Sequence, residues 1–199
     1  AKFITYRNVF SNTFASDELL ESVEINQNER QNRVQKGDVL FTQSSETFEE
    51  VGMSSVWLHE FEPFLNSFCM GWHPNSQKLN PIYMGYLLRT PTIRKQIICQ
   101  GQGISRINLA ASRISSIDLY HPTSDEQVKI ANLLSLMDQR IDITCKIIEH
   151  LKKYKRGVVK TLLDHKLNKR NGVVWETDTI GNLGTFVKGA ALSKADISD

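Results

Sequence analysis

One long amphipathic segment constrains the fold of this chain more than any other sequence feature. Between Pro122 and His165 no further proline occurs, and apolar residues recur there at alternating spacings of three and four, which is the pattern of a coiled-coil seam. We expect the apolar members of this seam to form a helix-pairing surface. They are Ile130, Leu134, Met137, Ile141, Ile148, Leu151, Val158 and Leu162, with Thr144 and Lys155 as polar interruptions.

Two candidate caps mark where this helix begins. Thr123 with Glu126, or Ser124 with Gln127, stands in capping-box register just after Pro122, and either pair would satisfy free amide groups of the first turn. The helix is about 60 Å long, which is more than one small domain covers. We therefore expect it to pair with another long helix, and the alternative is that it packs on its own globular domain.

The net charge of +2 conceals an uneven distribution of charge. Residues 146–170 contain nine Lys and Arg residues against Glu149 and Asp164, which gives +7, and the rest of the chain carries −5. Charge runs of this kind are commonly solvated helix flanks. The alternative is contact with a nucleic acid backbone or with an acidic partner protein.

Composition limits the class of protein further. Of 199 residues, 40% are apolar and 23% are charged, which fits one domain or two small ones with an ordinary core. No apolar run is long enough to cross a membrane. Cys69, Cys99 and Cys145 are far apart and odd in number, which favours reduced thiols in a cytoplasm over disulfides. Cys69 and His73 are near enough in sequence to share a metal, but no second close pair of ligands accompanies them, so we predict no metal site.

Local patterns predict an α+β fold, with a small mixed-sheet domain and one long coiled-coil-forming helix. The segment Asp17–Arg33 shows little periodicity and is predicted to be irregular or weakly helical. Strands are predicted from β-branched and aromatic content, and helices from proline at the first helical position. The predicted strands are Lys2–Phe10, Val39–Phe41, Val51–Leu58, Phe64–Trp72 and Ile114–Tyr120, and the predicted short helices are Pro81–Arg89 and Pro91–Gln100. The predicted divisions are a domain of residues 1–121, the long helix within residues 122–170, and a further α/β segment in residues 171–199.

No arrangement of residues in this sequence is typical of an active site. Asn80-Pro-Ile-Tyr83 is similar to the Asn-Pro-Pro-Tyr box of amino-methyltransferases but lacks its second proline, and a capped helix start explains it. Gly101-Gln-Gly103 follows a predicted helix and has no third glycine, so it is not a cofactor turn. A nucleophile on a sharp strand-to-helix turn is also absent. We therefore predict a non-catalytic chain that needs no cofactor.

Three polar loops on this α/β frame carry side chains that suit DNA contact. Arg and Lys donate to guanine edges or phosphates, Gln and Asn pair with adenine, and Ser and Thr serve either purpose. The loops follow the first predicted strand, the strand Val39–Phe41 and the second short helix. By composition alone they are equally consistent with ordinary surface. The candidate DNA-binding residues, one of them in the last segment, are Arg7, Asn8, Gln43, Ser44, Ser45, Gln102, Ser105, Arg106, Asn108 and Lys188.

Four segments, taken in order, carry a family resemblance. Val34–Thr42 contains a Gly-Asp-Val-Leu strand, Asn80–Gln100 a helix pair, and Gly101–Asn108 a glycine loop. The most specific run is His121-Pro-Thr-Ser-Asp-Glu-Gln127, continued by Ile130, Leu134, Asp138 and Ile141. In these segments the chain resembles the specificity subunit of type I restriction-modification systems. That family has a second proline where Thr123 stands here.

The resemblance implies a function as well as a fold. It implies a target-recognition domain that reads half of a split site in double-stranded DNA, and a spacer helix that pairs with another helix, as in a homodimer. It also implies docking of methyltransferase subunits and of the restriction subunit of the same system, in the cytoplasm and without catalysis by this chain. The alternative is an adaptor that binds proteins through the long helix and has no contact with DNA.

The order of segments departs from that family. Trp175–Ile197 resembles the opening of a recognition domain, yet it follows the long helix instead of preceding Lys2–Phe10. Either the chain is cut from the middle of a two-domain subunit, or residues 175–199 complete the domain of residues 1–120 by circular permutation or from another chain. We expect completion, because a domain without its first strand exposes unpaired edges. Trp175–Ile197 is then expected to pack against Lys2–Val9.

Overall fold

The computed structural model describes residues 1–26, 31–75, 78–164, 172 and 174–189. The chain divides into two compact units, Ala1–Gln139 and Arg140–Asp199. The strands are β1 (Lys2–Ile4), β2 (Leu20–Ser22), β3 (Val39–Thr42), β4 (Ser44–Ser45), β5 (Ser54–Val56), β6 (Phe64–Leu65), β7 (Cys69–Trp72) and β8 (Ile107–Asn108). The helices are α1 (Tyr6–Ser11), α2 (Pro81–Leu88), α3 (Pro91–Cys99), α4 (Ala111–Ile114), α5 (Ser124–Leu163) and α6 (Ile180–Leu183).

The strands of the first unit form three small sheets. One has the order β2-β1-β6, with β1 antiparallel to β2 and parallel to β6. The second has the order β5-β3-β7 and is antiparallel throughout, and the third is the antiparallel pair β4-β8. This mixture of parallel and antiparallel pairing, together with the long helix, confirms the predicted α+β class.

Strand β3 is the centre of the first unit because it is buried on both faces. Val39 and Phe41 face a core shared with α2 and α3, whereas Leu40 faces a second core around Ile4 and Trp57. The sequence of a strand that is covered on both faces is a continuous run of apolar residues and not an alternation of apolar and polar residues. The prediction of a buried strand at Val39–Phe41 is therefore confirmed.

The prediction of one strand over Lys2–Phe10 is only half correct. The strand ends at Ile4, and helix α1 begins at Tyr6 after Thr5, whose hydroxyl oxygen accepts a hydrogen bond from the Asn8 amide. Asp, Asn, Ser and Thr caps of this kind start helices even in β-prone sequence. Strand β1 lies between two partners in its sheet. The packing of Trp175–Ile197 against Lys2–Val9 stays a prediction, because residues 190–197 lie outside the described residues.

A distant arginine holds the carboxyl end of α1. The Arg89 guanidinium donates from Nη2 to the carbonyls of Val9, Phe10 and Asn12, at 3.1, 3.0 and 2.8 Å, and from Nε to that of Ser54 at 2.7 Å. Burial, and secondarily the charge of Arg94, lowers the pKa of Arg89 to about 10. This helix therefore depends on a contact some eighty residues away, which no local pattern reveals.

Two further strand predictions need correction. The stretch Ile114–Tyr120 is not a strand: it follows α4, and its apolar residues pack against the first core without pairing. The stretch Phe64–Trp72 is two strands, because Asn66 turns the chain between them and accepts a hydrogen bond from the Phe68 amide. Within Asp17–Arg33, predicted to be irregular or weakly helical, the structure forms the short strand β2.

The two short helices are confirmed. Asn80 caps α2, where its side-chain oxygen accepts a hydrogen bond from the Tyr83 amide at 3.0 Å, and Pro81 occupies the first turn. Helix α3 also begins with a proline, Pro91, but Thr90 before it makes no capping hydrogen bond and instead donates to the Leu87 carbonyl at 2.7 Å. Proline suits the first turn because its missing N–H has no partner there in any case.

The long helix is confirmed at Ser124–Leu163, 40 residues, but its first turns pack on their own domain. Ile130 and Ala131 join the first core, and Leu134 is half-buried. The alternative of packing on its own domain therefore holds for these turns, and Ile130 is removed from the predicted pairing surface. Farther along α5 the apolar side chains are largely exposed. They include Met137, Ile141, Ile148, Leu151 and Leu162.

The predicted capping box of Ser124 and Gln127 does not form. Ser124 lies inside α5, and both side chains donate to the Lys78 carbonyl, at 3.4 Å from Ser124 and 3.0 Å from Gln127. These two residues therefore attach the helix to the loop before α2.

The second unit contains the rest of α5 and the short helix α6. Thr179 caps α6 through a hydrogen bond from the Asn182 amide. The apolar residues around it are exposed, namely Val174, Trp175, Ile180, Leu183, Phe186 and Val187. Residues 165–171 and 190–199 lie outside the described residues, and so does the end of the basic run. None of the helices that the structure describes is both long and apolar enough to span a membrane.

Candidate nucleic-acid interface

The small sheet β4-β8 brings two of the predicted polar loops together. Ser44 lies opposite Asn108 and Ser45 opposite Ile107. The Gln102 and Asn108 backbones exchange two hydrogen bonds of 2.9 and 2.7 Å, which closes the glycine loop. Residues 43–45 and 102–108 thus form one continuous surface, which we call the β4-β8 edge.

Gly103 fixes the shape of the glycine loop. Its φ angle is +141°, and a Cβ atom there would lie 1.8 Å from the Arg106 carbonyl oxygen. Only glycine allows so close an approach at this backbone angle. The loop consequently turns back on itself and leaves Ile104, Ser105 and Arg106 exposed.

An arginine of α3 positions the neighbouring loop, residues 46–52. Arg94 donates to the carbonyls of Gly52, Glu49 and Val51, at 2.6, 2.8 and 2.8 Å. Burial lowers the pKa of this guanidinium. Thr42 adds a second attachment, because its hydroxyl donates to the Glu50 carbonyl and accepts from the Met53 amide. The loop is therefore held by hydrogen bonds from two sides.

A cavity of ≈ 340 Å³ opens beside the β4-β8 edge. Its lining residues are Tyr6, Ser44, Ser45, Glu46, Glu50, Phe68 and Arg106. The Tyr6 hydroxyl donates to the Ser44 carbonyl at 2.9 Å, which joins α1 to the edge. Burial raises the pKa of Tyr6, Glu50 raises it further, and Arg106 opposes this rise. Both charged groups therefore lie close enough to act on the same hydroxyl.

Eight of the ten predicted DNA-binding residues are exposed or half-buried, and they lie in three places. Those exposed at the β4-β8 edge are Gln43, Gln102, Ser105, Arg106 and Asn108, with Ser44 half-buried among them. Arg7 is exposed on the first turn of α1, next to Tyr6. Lys188 is exposed in the second unit.

Two predicted residues serve the fold instead. Asn8 is buried, and its side chain donates to the Ser16 carbonyl and accepts from the Ser16 amide. Ser45 is buried, and its hydroxyl donates to the Thr47 carbonyl at 2.6 Å. Both side chains are buried and bonded to backbone groups of their own domain, so both are dropped from the candidate surface.

Sequence reasoning missed four lining residues, Tyr6, Glu46, Glu50 and Phe68. Tyr6 was hidden by the strand predicted over it. The exposed ring of Phe68 reaches this site because the Gln43 amide donates to the Phe68 carbonyl at 2.8 Å. The local signal for the two glutamates was their place at the end of the polar cluster at β4 and just after it, where glutamates occupy positions 46, 49 and 50.

The chain shows no arrangement suited to a metal in the described residues. Groups of three or more His, Cys, Asp and Glu side chains placed to bind one are absent from those ranges. Burial raises the pKa of Cys69 to about 12, which disfavours the thiolate that a metal binds. His73, its proposed companion ligand, instead contacts the Asp38 carboxylate through Nδ1. All three cysteines are free thiols.

Comparison with known proteins agrees with this architecture. A crystal structure of the type I restriction-modification system S subunit from M. genitalium matches with a TM-score of 0.50 and 20% identity, over 71% of this chain and 36% of that one. This likeness concerns the fold alone. A putative type I restriction enzyme MjaX specificity subunit from Methanocaldococcus jannaschii is 31% identical over 160 residues, which are 73% of this chain and 37% of the relative.

The family assignment rests on a match to a family model. The chain spans little more than a third of the length of either relative, so these comparisons concern one part of such a protein. The family model for the type I restriction modification DNA specificity domain matches residues 4–153, which is most of the chain. The match includes β3, the β4-β8 edge and the start of α5, so the chain belongs to the type I restriction modification DNA specificity domain family.

Proposed function

We propose that this chain reads one half of a split target in double-stranded DNA through the β4-β8 edge. The observation that carries the proposal is the convergence of two polar loops at this edge, in a chain that belongs to a DNA specificity family. Sequence-specific contacts to DNA come from side chains that reach base edges, while contacts to phosphates set the position of the protein. A small sheet with fixed loops supplies both.

The exposed groups at the edge match the chemistry of base readout. Gln43, Gln102 and Asn108 carry amides that can pair with adenine, and the Arg106 guanidinium can pair with guanine. Arg7, on the first turn of α1, is placed to contact a phosphate. Because Gly103 and Arg94 fix the loops, these side chains are presented from an ordered surface and little ordering is needed on binding.

We further propose that α5 is a spacer that pairs with a second long helix, in a homodimer or another pair of chains. Exposed apolar residues lie on two stripes, about 100° apart around the helix. The seam stripe contains Met137, Ile141, Ile148 and Leu151, and the second stripe contains Leu136, Ile143, Ile147 and Tyr154. We assign the seam stripe to the paired helix and the second stripe to a methyltransferase subunit. The restriction subunit of the same system would then bind to that assembly.

Binding to DNA should be specific and strongly dependent on salt. In a selection from a random duplex library, with the cognate methyltransferase present, we expect this chain to enrich one sequence motif. Affinity is expected to fall about a thousandfold or more between about 50 and 200 mM salt, because contacts to phosphates release bound counterions. Enrichment of no motif would refute the proposal. Salt-insensitive binding to a partner protein, with no retention of DNA, would instead favour the adaptor.

We also propose that residues 175–199 complete a recognition domain, that of the same chain or of another. The support is the exposed apolar surface around α6, where Ile180 and Phe186 are 74% and 86% exposed. Amide hydrogen exchange on the full chain tests this proposal. Amides of residues 175–189 are expected to be protected as strongly as those of α2, because completion would bury them. Exchange at the rate of a free peptide would contradict it.

A further inference from the structure

We propose that the cavity beside the β4-β8 edge reads one C·G base pair, with Arg106 binding guanine and Glu46 binding cytosine. This inference rests on the proposed DNA-binding function and adds a specific base pair to it. The site includes residues that the sequence did not single out, Glu46 and Phe68 among them, so it extends the predicted set.

The cavity is lined by one cation and two carboxylates, and the cation forms no ion pair with either carboxylate. Arg106 and Glu46 are exposed and Glu50 is half-buried. Among the described residues, none of the three takes part in an ion pair within 4.0 Å. Their side chains therefore keep hydrogen-bonding capacity for a ligand, in a recess that both polar loops line.

The charge of the recess argues against a phosphate as its ligand. Two carboxylates and one guanidinium leave it net negative, and a phosphate would be repelled by Glu46 and Glu50. Carboxylates on a DNA-binding surface weaken binding unless they accept hydrogen bonds from a base, and cytosine N4 is the donor that Glu and Asp recognise. The glutamates therefore point to a base edge and not to the backbone.

A C·G pair matches both kinds of group at once. In the major groove guanine presents two acceptors, O6 and N7, and cytosine presents the N4 amino donor beside them. The Arg106 guanidinium supplies donors for guanine, and the Glu46 carboxylate supplies an acceptor for cytosine. Phe68, 55% exposed at the rim, offers an apolar surface that excludes water from these contacts.

The backbone around the recess is fixed in the absence of DNA. Gly103 approaches the Arg106 carbonyl more closely than any other residue type allows, which sets the path of the chain at Arg106. Arg94 holds the carbonyls of Glu49, Val51 and Gly52 and so fixes the loop that carries Glu46. Two opposing loops with defined backbones thus present a donor and an acceptor at the same recess.

The test is selection of duplexes from a random library by the full chain with its methyltransferase, using four single variants. Glu46→Gln is expected to weaken the preference for C·G at one position, because the glutamine amide no longer offers cytosine N4 a pure acceptor while Arg106 still prefers guanine. Arg106→Ala is expected to reduce the preference at the same position by about 5- to 150-fold. All four substitutions are at exposed or half-exposed side chains, so the fold should be retained.

Two of the variants are matched controls. Arg7→Ala removes the same charge as Arg106→Ala, and it is expected to weaken binding to all sequences equally without changing the motif. Glu49→Gln removes the same charge as Glu46→Gln from an exposed residue of the same loop that does not line the cavity, and it is expected to leave the motif unchanged. A motif shift for Glu49→Gln equal to that for Glu46→Gln would overturn the assignment, because a general charge effect would then explain both.

The outcomes also separate this inference from the proposed function. If the wild-type chain selects a motif that Glu46→Gln and Arg106→Ala both leave unchanged, the C·G reading is wrong while DNA recognition stands. If the wild-type chain selects no motif, both proposals fail. A shift confined to one position, in the two variants predicted to cause it, supports the inference.

Discussion

Replacing Gln127 by methionine is expected to lower the free energy of unfolding of the first unit by about 3 to 5 kcal/mol. Gln127 is fully buried at the start of α5. Its Oε1 accepts from the Asn80 amide at 2.9 Å, and its Nε2 donates to the carbonyls of Lys78 and Pro122, each at 3.0 Å. Methionine fills a similar volume but makes none of these hydrogen bonds. The Asn80 amide and the carbonyls of Lys78 and Pro122 would then lose the hydrogen-bond partner that Gln127 supplies.

Urea unfolding followed by the fluorescence of the buried Trp57 measures this loss. Asn132→Met is the matched control, because it makes the same amide-to-thioether change at an exposed position of the same helix. That control should stay within about 0.5 kcal/mol of the wild-type chain. Gln127→Glu keeps the acceptor for Asn80 but turns carboxylate oxygens toward two carbonyls, so it is expected to destabilise as well. A loss below about 1 kcal/mol for Gln127→Met would contradict the role assigned to this side chain.

The second large effect is expected in assembly. Ile141 and Ile148 are one heptad apart on the seam stripe and are 57% and 46% exposed in the single chain. If they pair with another helix, aspartate at both positions places charges in an apolar interface. We expect the double variant Ile141→Asp/Ile148→Asp to weaken helix pairing by about a thousandfold or more, which corresponds to about 4 kcal/mol.

Light scattering and sedimentation of the full chain test this prediction. The wild-type chain should have twice the 22.7 kDa mass of one copy, and the double variant should have the mass of one. The control is the double variant Lys146→Asp/Lys153→Asp. Its two positions are also seven residues apart, and they lie about 140° around the helix from Ile141 and Ile148. Its change in net charge is larger than that of the isoleucine variant. A wild-type chain of single mass would refute the homodimer. Equal dissociation by the control would show that charge, and not the seam stripe, governs assembly.

The local features of the fold were predictable from sequence because their causes lie within a few residues. The α2 helix follows from Asn80 and Pro81, and α5 follows from an apolar period of three and four that continues for forty residues. The strand β3 follows from a short apolar run after a turn. Each of these signals is a capping group, a restricted backbone angle or a periodic face, and none needs a distant partner.

Two of the errors occur where a distant partner decided the structure. Lys2–Phe10 has strand composition, yet its second half is helical, with Thr5 as the cap and Arg89 on the terminal carbonyls. Ile130 belongs to the seam by its spacing but packs into the core of its own domain. In both cases local propensity was outweighed by packing and hydrogen bonds from residues far along the chain.

The candidate site was predictable in its residue types and not in its geometry. The polar loops and Arg106 were visible in the sequence, but the burial of Asn8 and Ser45 was not. The recess also contains four residues that the sequence did not single out, and they come together through the β4-β8 pairing and the Tyr6 hydrogen bond to Ser44. These residues are Tyr6, Glu46, Glu50 and Phe68. A strand of two residues gives too short a pattern to reveal such pairing in advance.

The sequence by itself determined the long helix, the two short helices, the buried central strand and the family signature around Glu126 and Gln127. Only the tertiary structure showed that Gln127 attaches this helix to the loop before α2, and that two polar loops meet at one edge. The physical reason is the range of the interactions. Caps and periodicity act over one or two turns of chain, whereas the hydrogen bonds from Gln127 to the loop before α2 and from Tyr6 to the β4-β8 edge join residues about forty to fifty positions apart.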